Sequence, residues 1–452
     1  MTDKIRVASL INDMGIGGTA RQVITVDRYL NKDIFEHYII SLSAVDDARS
    51  KFLRDKKVFF SSDPKEIAEM VKKNKIDIIY AHRHGRNESL HDKIAQALPP
   101  SIGLMELNTF SVVDKGDFGT RCGKRVFVSM TNLVKYCDQN NLPFNFKELK
   151  TVYCLVDANN FMSKLPTAAE IEEYKNRMGI AGCPVIGRSA RPVIEKWDDE
   201  MLIMWKKLSK MNPRIKFLIY GVPPSKRKLL EASGRKDNLI MLGLTDSDKD
   251  LDLFYSSIDI YVHDSPIGEC FGGTTVEAML FKKPAIVMST PFPRRTWGRT
   301  HTKDNGLVEQ IKNGENGYVV RSGTAMAYAV DYLSQHPELI KKMGEKNFDE
   351  VRQRYEASFG IKTLEKIFLE LYLEKNHTLP EEALNYYKNL RFYPDEDDIR
   401  GWFSEYYLRL ANLFGKEYCN SALERVELSY SKYKRKAKTL LFMLGLRKSK
   451  YL

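Results

Sequence analysis

The chain has no run of about 18 apolar residues, so no segment of it reads as a transmembrane helix. Cysteine is scarce. Cys122, Cys137, Cys154, Cys183, Cys270 and Cys419 are scattered through 452 residues without a CxxC pair. That scatter argues against a zinc cage or a disulfide scaffold and suits a reducing cytoplasm. The opening MTDKIRVASLIND has neither the apolar core nor the small-residue cleavage site of a secretory leader, so the expected location is cytoplasmic. GxGxxG and GK[ST] are both missing, which weighs against NAD-binding and ATPase readings. No repeat or low-complexity tract is apparent.

What is present describes a folded protein. Hydrophobic residues make up 43% and charged residues 29%, and the length suggests about three units. The net charge of +12 is unevenly placed. Residues 431–452 hold eight basic residues and no acid, which leaves only +4 on the first 430. Basicity therefore belongs to a tail, and nucleic acid is not an expected partner.

Through the first half, strand-like and helix-like segments alternate. Strands are expected at Ile5–Ile11, His37–Ser43, Ile76–Ala81, Ile102–Leu107, Arg125–Met130 and Thr151–Val156. Thr19 and Gln22 have the spacing of a capping box for a helix after the first strand. A second series follows Asp157, with strands at Val185–Ser189, Ile215–Gly221, Leu239–Gly243, Ile258–His263 and Ala285–Ser289. Such alternation implies α/β architecture with mainly parallel sheets. Three domains are expected: 1–157 and 158–360, both Rossmann-like, and a helical extension 361–452 rich in tyrosine, phenylalanine and tryptophan. The crevice between two such α/β units is the expected ligand site.

Three stretches carry chemistry. Ser265-Pro-Ile-Gly-Glu-Cys-Phe-Gly-Gly-Thr-Thr-Val-Glu277 follows a strand and opens a helix near Gly273. Gly272 and Gly273 let a ligand approach the backbone, and the helix start favours anions. Glu269 and Glu277, eight residues apart, can address different hydroxyl clusters of one extended ligand. The plain alternative is a capping carboxylate beside a glycine turn. Arg191 and Lys196, in the loop after the first strand of the second series, can clamp a diphosphate, with Arg188 a neighbouring competitor. Here the plain alternative is a solvated charged turn. Gly15, Gly17 and Gly18 after the first strand resemble a phosphate-cradling turn.

Together these residues resemble the retaining glycosyltransferases of family 4, which have the GT-B fold of two facing Rossmann-like domains. The resemblance is carried by GIGG, VYCLVDANNF, R-P-V-I-E-K-W, SPIGECFGGTTVEAM, KKPAIVMS and KNGENGYVV, and covers roughly residues 4–375. It implies transfer of a sugar from a nucleotide-diphosphate-sugar to a hydroxyl acceptor, a glycan or glycolipid, without metal or other cofactor. By position, Arg191 and Lys196 would bind the diphosphate, Glu277 the ribose and Glu269 the donor sugar. Phe271, Gly272 and Gly273 would flank sugar and phosphates, and Gly17 and Gly18 would close the site from the N-terminal domain. Acceptor specificity would sit in N-terminal loops such as Asp114–Lys124.

Two departures stand out. Ala190 replaces the glycine usual before the clamp arginine, and Glu106-Leu-Asn108 stands where the family often has a histidine. His82 and His84, ending an earlier strand, are alternatives, and His82 is taken as the polar active-site contact against the plain reading of a structural histidine. Two further functions remain open: a nucleotide-sugar epimerase of similar fold, and a catalytically silent glycosyltransferase-like scaffold. The tail also has two readings. Five cations at 432–438 ahead of TLLFML fit an interfacial segment on an anionic membrane, against the plain reading of a solvated basic end or a docked terminal helix.

Overall fold

Short apolar strands separated by helices produce two parallel sheets in the computed structural model. It describes residues 4–414 apart from 16, 44–57, 244, 246, 266–267, 290–305 and 376. The first sheet contains β1 (Ile5–Ile11), β2 (Phe35–Ser41), β3 (Val58–Phe60), β4 (Ile78–Arg83), β5 (Gly103–Asn108), β6 (Cys122–Phe127) and β7 (Leu149–Thr151). Their order is β3-β2-β1-β4-β5-β6-β7 and every pairing is parallel. The second contains β8 (Val185–Ser189), β9 (Lys216–Tyr220), β10 (Leu239–Leu242), β11 (Ile260–His263), β12 (Ala285–Met288) and β13 (Gly317–Val320). Its order is β10-β9-β8-β11-β12-β13, again all parallel. The central strands are almost wholly buried because helices cover both faces, which is why they are mainly apolar rather than alternating.

In each sheet the connection reverses direction once, between β1 and β4 and between β8 and β11. Loops leaving the carboxyl ends of those strands diverge to opposite sides and leave room for a ligand. In the second sheet the loops in question are those that hold Arg191–Lys196 and Glu269–Gly273.

The chain divides into two compact units, Met1–Met162 with Val351–Arg400 and Ser163–Glu350 with Gly401–Leu452. This differs from the three-part expectation, chiefly after residue 350. The Ala357–Glu374 helix buries Ile361, Leu364, Ile367, Phe368 and Leu371 within the first unit. Phe368 meets Phe35 and Tyr80 at ring-centroid distances of 6.0 and 5.9 Å. Leu371 lies over Gly103 and Gly123, where any Cβ would collide with it. A helix with so large an apolar face is a layer of the first unit, not an appendage. The core of the second unit is built around Trp205, Phe217, Met201, Met204 and Val330.

Local differences from the sequence reading have identifiable causes. The capping box does not form: the Gly18–Tyr29 helix has Gly17 at its N-cap with no side-chain bond. Gln22 instead accepts from Leu155 N at 2.7 Å and donates to Leu155 O at 3.0 Å. The strand expected at Thr151–Val156 stops at Thr151. Of the expected Asp114–Lys124 loop, Asp117–Arg121 is helical and β6 begins at Cys122. Cys419 and the basic tail at 431–452 lie outside the described residues. Among the described residues, no helix is long and apolar enough to cross a membrane.

Candidate active site

The site of the second unit begins with a charge inside a strand. Arg188, in β8, is fully buried, and its Nε donates to Asp264 Oδ1 at 2.7 Å just past the end of β11. A buried guanidinium requires such a partner, because an isolated ion in this environment costs several kcal/mol. The pair does more than neutralise itself. Arg188 Nη2 donates to the Lys196 carbonyl, and Asp198 N donates to Asp264 Oδ2 at 2.9 Å. The guanidinium also lies 5.0 Å from the Trp197 ring centroid. One buried ion pair thereby ties the loop after β8 to the loop after β11.

The tie brings Lys196 and Glu269 together. Lys196 Nζ donates to both carboxylate oxygens of Glu269 at 2.7 Å. His263 Nε2 lies 3.2 Å from Glu269 Oε1, and the Tyr261 hydroxyl lies 3.4 Å from His263 Nδ1. Burial opposes ionisation of Glu269, but Lys196 and His263 outweigh it and bring its pKa down to about 2. Glu269 is thus a carboxylate at any physiological pH.

The backbone beyond Glu269 is held equally firmly. Gly306 N donates to Glu269 O at 2.8 Å, and Gln310 Nε2 donates to Phe271 O. Gly272 has φ +81°, a left-handed conformation that glycine adopts without strain, and caps the Gly273–Leu280 helix. The first N–H groups of that helix have no intrahelical acceptor and carry its positive dipole end. Glu277 falls in the second turn of this helix, and its Oε2 accepts from the Tyr255 hydroxyl at 2.9 Å. Gly221, at φ +75°, lets β9 end directly against the Ala190 carbonyl, where a Cβ would collide. Arg191 is exposed on the same loop, and its side chain makes no hydrogen bond or ion pair among the described residues.

Of the sequence-based candidates, Lys196, Glu269, Phe271, Gly272, Gly273 and Glu277 come together in the second unit with Arg191 at the rim. Arg188 is excluded as a ligand contact because it is buried under the loop. Gly17, Gly18 and His82 belong to the first unit. A Cβ at either glycine would meet nothing within 4 Å, so that backbone is open to approach. His82, taken from the sequence as a polar active-site contact, is buried: its Nε2 is 3.3 Å from Ser9 Oγ, which is 2.9 Å from His37 Nε2. Burial, reinforced by His37, lowers the His82 pKa to about 3. His84 is the exposed member of the pair. Asp264, His263, Tyr255 and Tyr261 were missed. Their signal was a polar or titratable side chain in or beside an otherwise apolar buried segment.

Residues 170–349 match the family model described as Glycosyl transferases group 1, so that stretch is a domain of this family. Trehalose synthase of Pyrococcus horikoshii is 28% identical over 186 residues, 38% of this chain and 40% of that protein. The chain thus spans about two fifths of the length of this curated relative. A glycosyltransferase from Rickettsia africae superposes with a TM-score of 0.65 at 20% identity, covering 83% of this chain and all of that one. Anabaena Alr3699/HepE, solved in complex with UDP and glucose, superposes at 0.61 with 15% identity over 80% of this chain and 98% of its own. The architecture is that of the GT-B glycosyltransferases, α/β with two parallel sheets and C-terminal helices.

Proposed function

We propose that this protein is a retaining glycosyltransferase that moves a sugar from a nucleoside-diphosphate-sugar to a hydroxyl of a glycan or glycolipid. The observation that carries this reading is the convergence of Lys196, Glu269 and the Gly273 helix start at the reversal point of the second sheet. A diphosphate leaving group develops negative charge as its bond to the sugar breaks. In this reading Lys196, Arg191 and the helix N–H groups would stabilise that charge, and preorganised groups of this kind lower the barrier.

In this reading donor binding exchanges partners. Lys196 turns from Glu269 to the phosphate, and Glu269, kept ionised, accepts from sugar hydroxyls. Glu277, steadied by Tyr255, accepts from the ribose. The glycosidic carbon–oxygen bond forms on the face from which the diphosphate leaves, and the acceptor proton passes to the departing phosphate oxygen. The positive groups already present supply what a metal ion would otherwise provide, so we propose metal-independent transfer.

UDP is the first nucleotide to try, given that the Anabaena neighbour was solved with it. The test measures nucleoside diphosphate released from a panel of nucleotide-sugars with and without acceptor. Acceptor-dependent release supports glycosyl transfer. Donor turnover without any diphosphate release would identify an epimerase, and no turnover with any donor would leave only a binding scaffold.

A further inference from the structure

We propose that the carboxyl edge of the first sheet carries a platform, built from Phe110, His84 and Arg86, for an acceptor sugar that bears an oxyanion, phosphate or carboxylate. The inference rests on the glycosyl-transfer reading and names the class of acceptor.

The platform spans the loops that follow β4 and β5, and β4 flanks the reversal point of its sheet. Ligands of open parallel sheets collect at this edge. The two loops are locked into one body. Arg83, only 2% exposed, lies 2.8 Å from Asp114 Oδ2 and donates to the Arg86 carbonyl. Thr109 Oγ1 donates to Arg83 O at 3.3 Å. Asn108 accepts from Val112 N at 3.3 Å and donates to Val112 O at 2.8 Å. Gly85, at φ +75°, rests on the Asn108 side chain so closely that a Cβ would not fit.

On this base the Phe110 ring is flanked by His84, with centroids 5.0 Å apart, and by Arg86, whose Cζ is 5.9 Å from the ring centre. His84 and Arg86 are exposed. The Arg86 guanidinium makes no hydrogen bond or ion pair among the described residues. The acids of the same loops are already engaged: Asp114 with Arg83, Glu88 with His91, Asp92 with Asn87 and the Phe118 N–H, and Asp117 with Gln96. Exposed Lys115 adds a second cation on the β5 loop. Arg86 is thereby left without a carboxylate partner of its own among the described residues. An aromatic face accepts the C–H face of a sugar ring, a guanidinium takes a phosphate or carboxylate in bidentate fashion, and an imidazole bonds a hydroxyl.

The test uses the full chain, saturated with UDP so that the donor site is filled, and calorimetric titration with three probes. Glucose 1-phosphate and glucuronate carry the two oxyanions, and methyl glucoside is neutral. Both anionic sugars are expected to bind at least about tenfold more tightly than methyl glucoside. R86Q should remove that advantage, F110A should weaken all three probes, and UDP affinity should stay unchanged in both variants. If only one anionic probe binds, the platform stands and its oxyanion is identified. Equal binding by wild type and R86Q, no preference for the anionic probes, or no binding of any probe would overturn the platform. Failure of UDP to bind counts against the glycosyl-transfer reading alone, since the same three sugars titrated without UDP still test the platform.

Discussion

Replacing Asp264 by asparagine should separate the two roles of the buried brace. The Arg188 and Asp264 side chains are 0% and 1% exposed and 2.7 Å apart, so Asp264→Asn leaves a guanidinium buried without its counter-charge. Breaking one side of such a pair costs about 3–5 kcal/mol. For a unit of roughly 150–250 residues, at about 2–4 °C per kcal/mol, Tm should fall by roughly 6–20 °C. Stability alone does not prove positioning, so a second variant is needed. The double substitution Arg188→Met with Asp264→Leu removes both charges and keeps the volume, a change that is often neutral or stabilising. It also removes the bonds to Lys196 O and Asp198 N. Its Tm should return to near the wild-type value while kcat/KM stays roughly 10- to 100-fold low, the loss falling mainly on kcat, because small displacements of a catalytic group are costly. Thermal unfolding and donor-turnover kinetics on the same preparations decide the matter. Wild-type kcat/KM in the double variant would refute the positioning role. A Tm drop under about 2 °C in Asp264→Asn would refute the buried-charge argument.

Lys196→Ala and Glu277→Ala should each lower kcat/KM by roughly 10²-fold or more, the size seen when one preorganised electrostatic contact is removed; near-normal turnover in both would sink the site assignment. Turnover should survive EDTA, and complete loss with chelator would contradict metal-independent transfer. The buried His82 has its pKa lowered from 6.5 to about 3, so on acidification the unfolded chain takes up the proton first. Its contribution is complete above about pH 6.5 and is lost as pH falls toward 3, worth roughly 3–5 kcal/mol at about 1.4 kcal/mol per unit. His82→Gln should flatten the fall in Tm between pH 7.5 and 4.5, and parallel curves for the two proteins would count against the reading. Glu269, with its pKa lowered from 4.5 to about 2, contributes above the ordinary carboxylate range and loses that contribution as pH falls from about 4.5 to 2. Glu269→Gln should abolish this more acidic component.

What could be read from the residues follows the length scale of the forces. Strands such as Ile5–Ile11 and Val185–Ser189 match the sequence reading end for end, because burial on both faces writes a short, mainly apolar segment without the alternation of a half-exposed strand. β3 and β13 escaped notice. The first is three residues long and only partly buried, and the second lies inside KNGENGYVV, whose turn residues dominate the local pattern. The helix beginning at Gly273 was legible from its glycines, since only glycine tolerates the φ of Gly272 at no cost. Tertiary partners were not legible. Thr19 and Gln22 have capping-box spacing, yet Gln22 bonds a backbone segment 133 residues away. His82 was chosen over His84 from position alone, and the strand places the first of them inside and leaves the second exposed beyond its end. Arg188 shows how such errors can be reduced. A charge in a strand that the apolar pattern marks as buried must have a counter-charge, and in a parallel sheet that counter-charge lies on a neighbouring strand or at its end. Searching the carboxyl ends of the second sheet for an acid leads to Asp264, immediately after His263 in β11. The brace, and with it the convergence of Lys196 on Glu269, follows from that one requirement of charge neutrality.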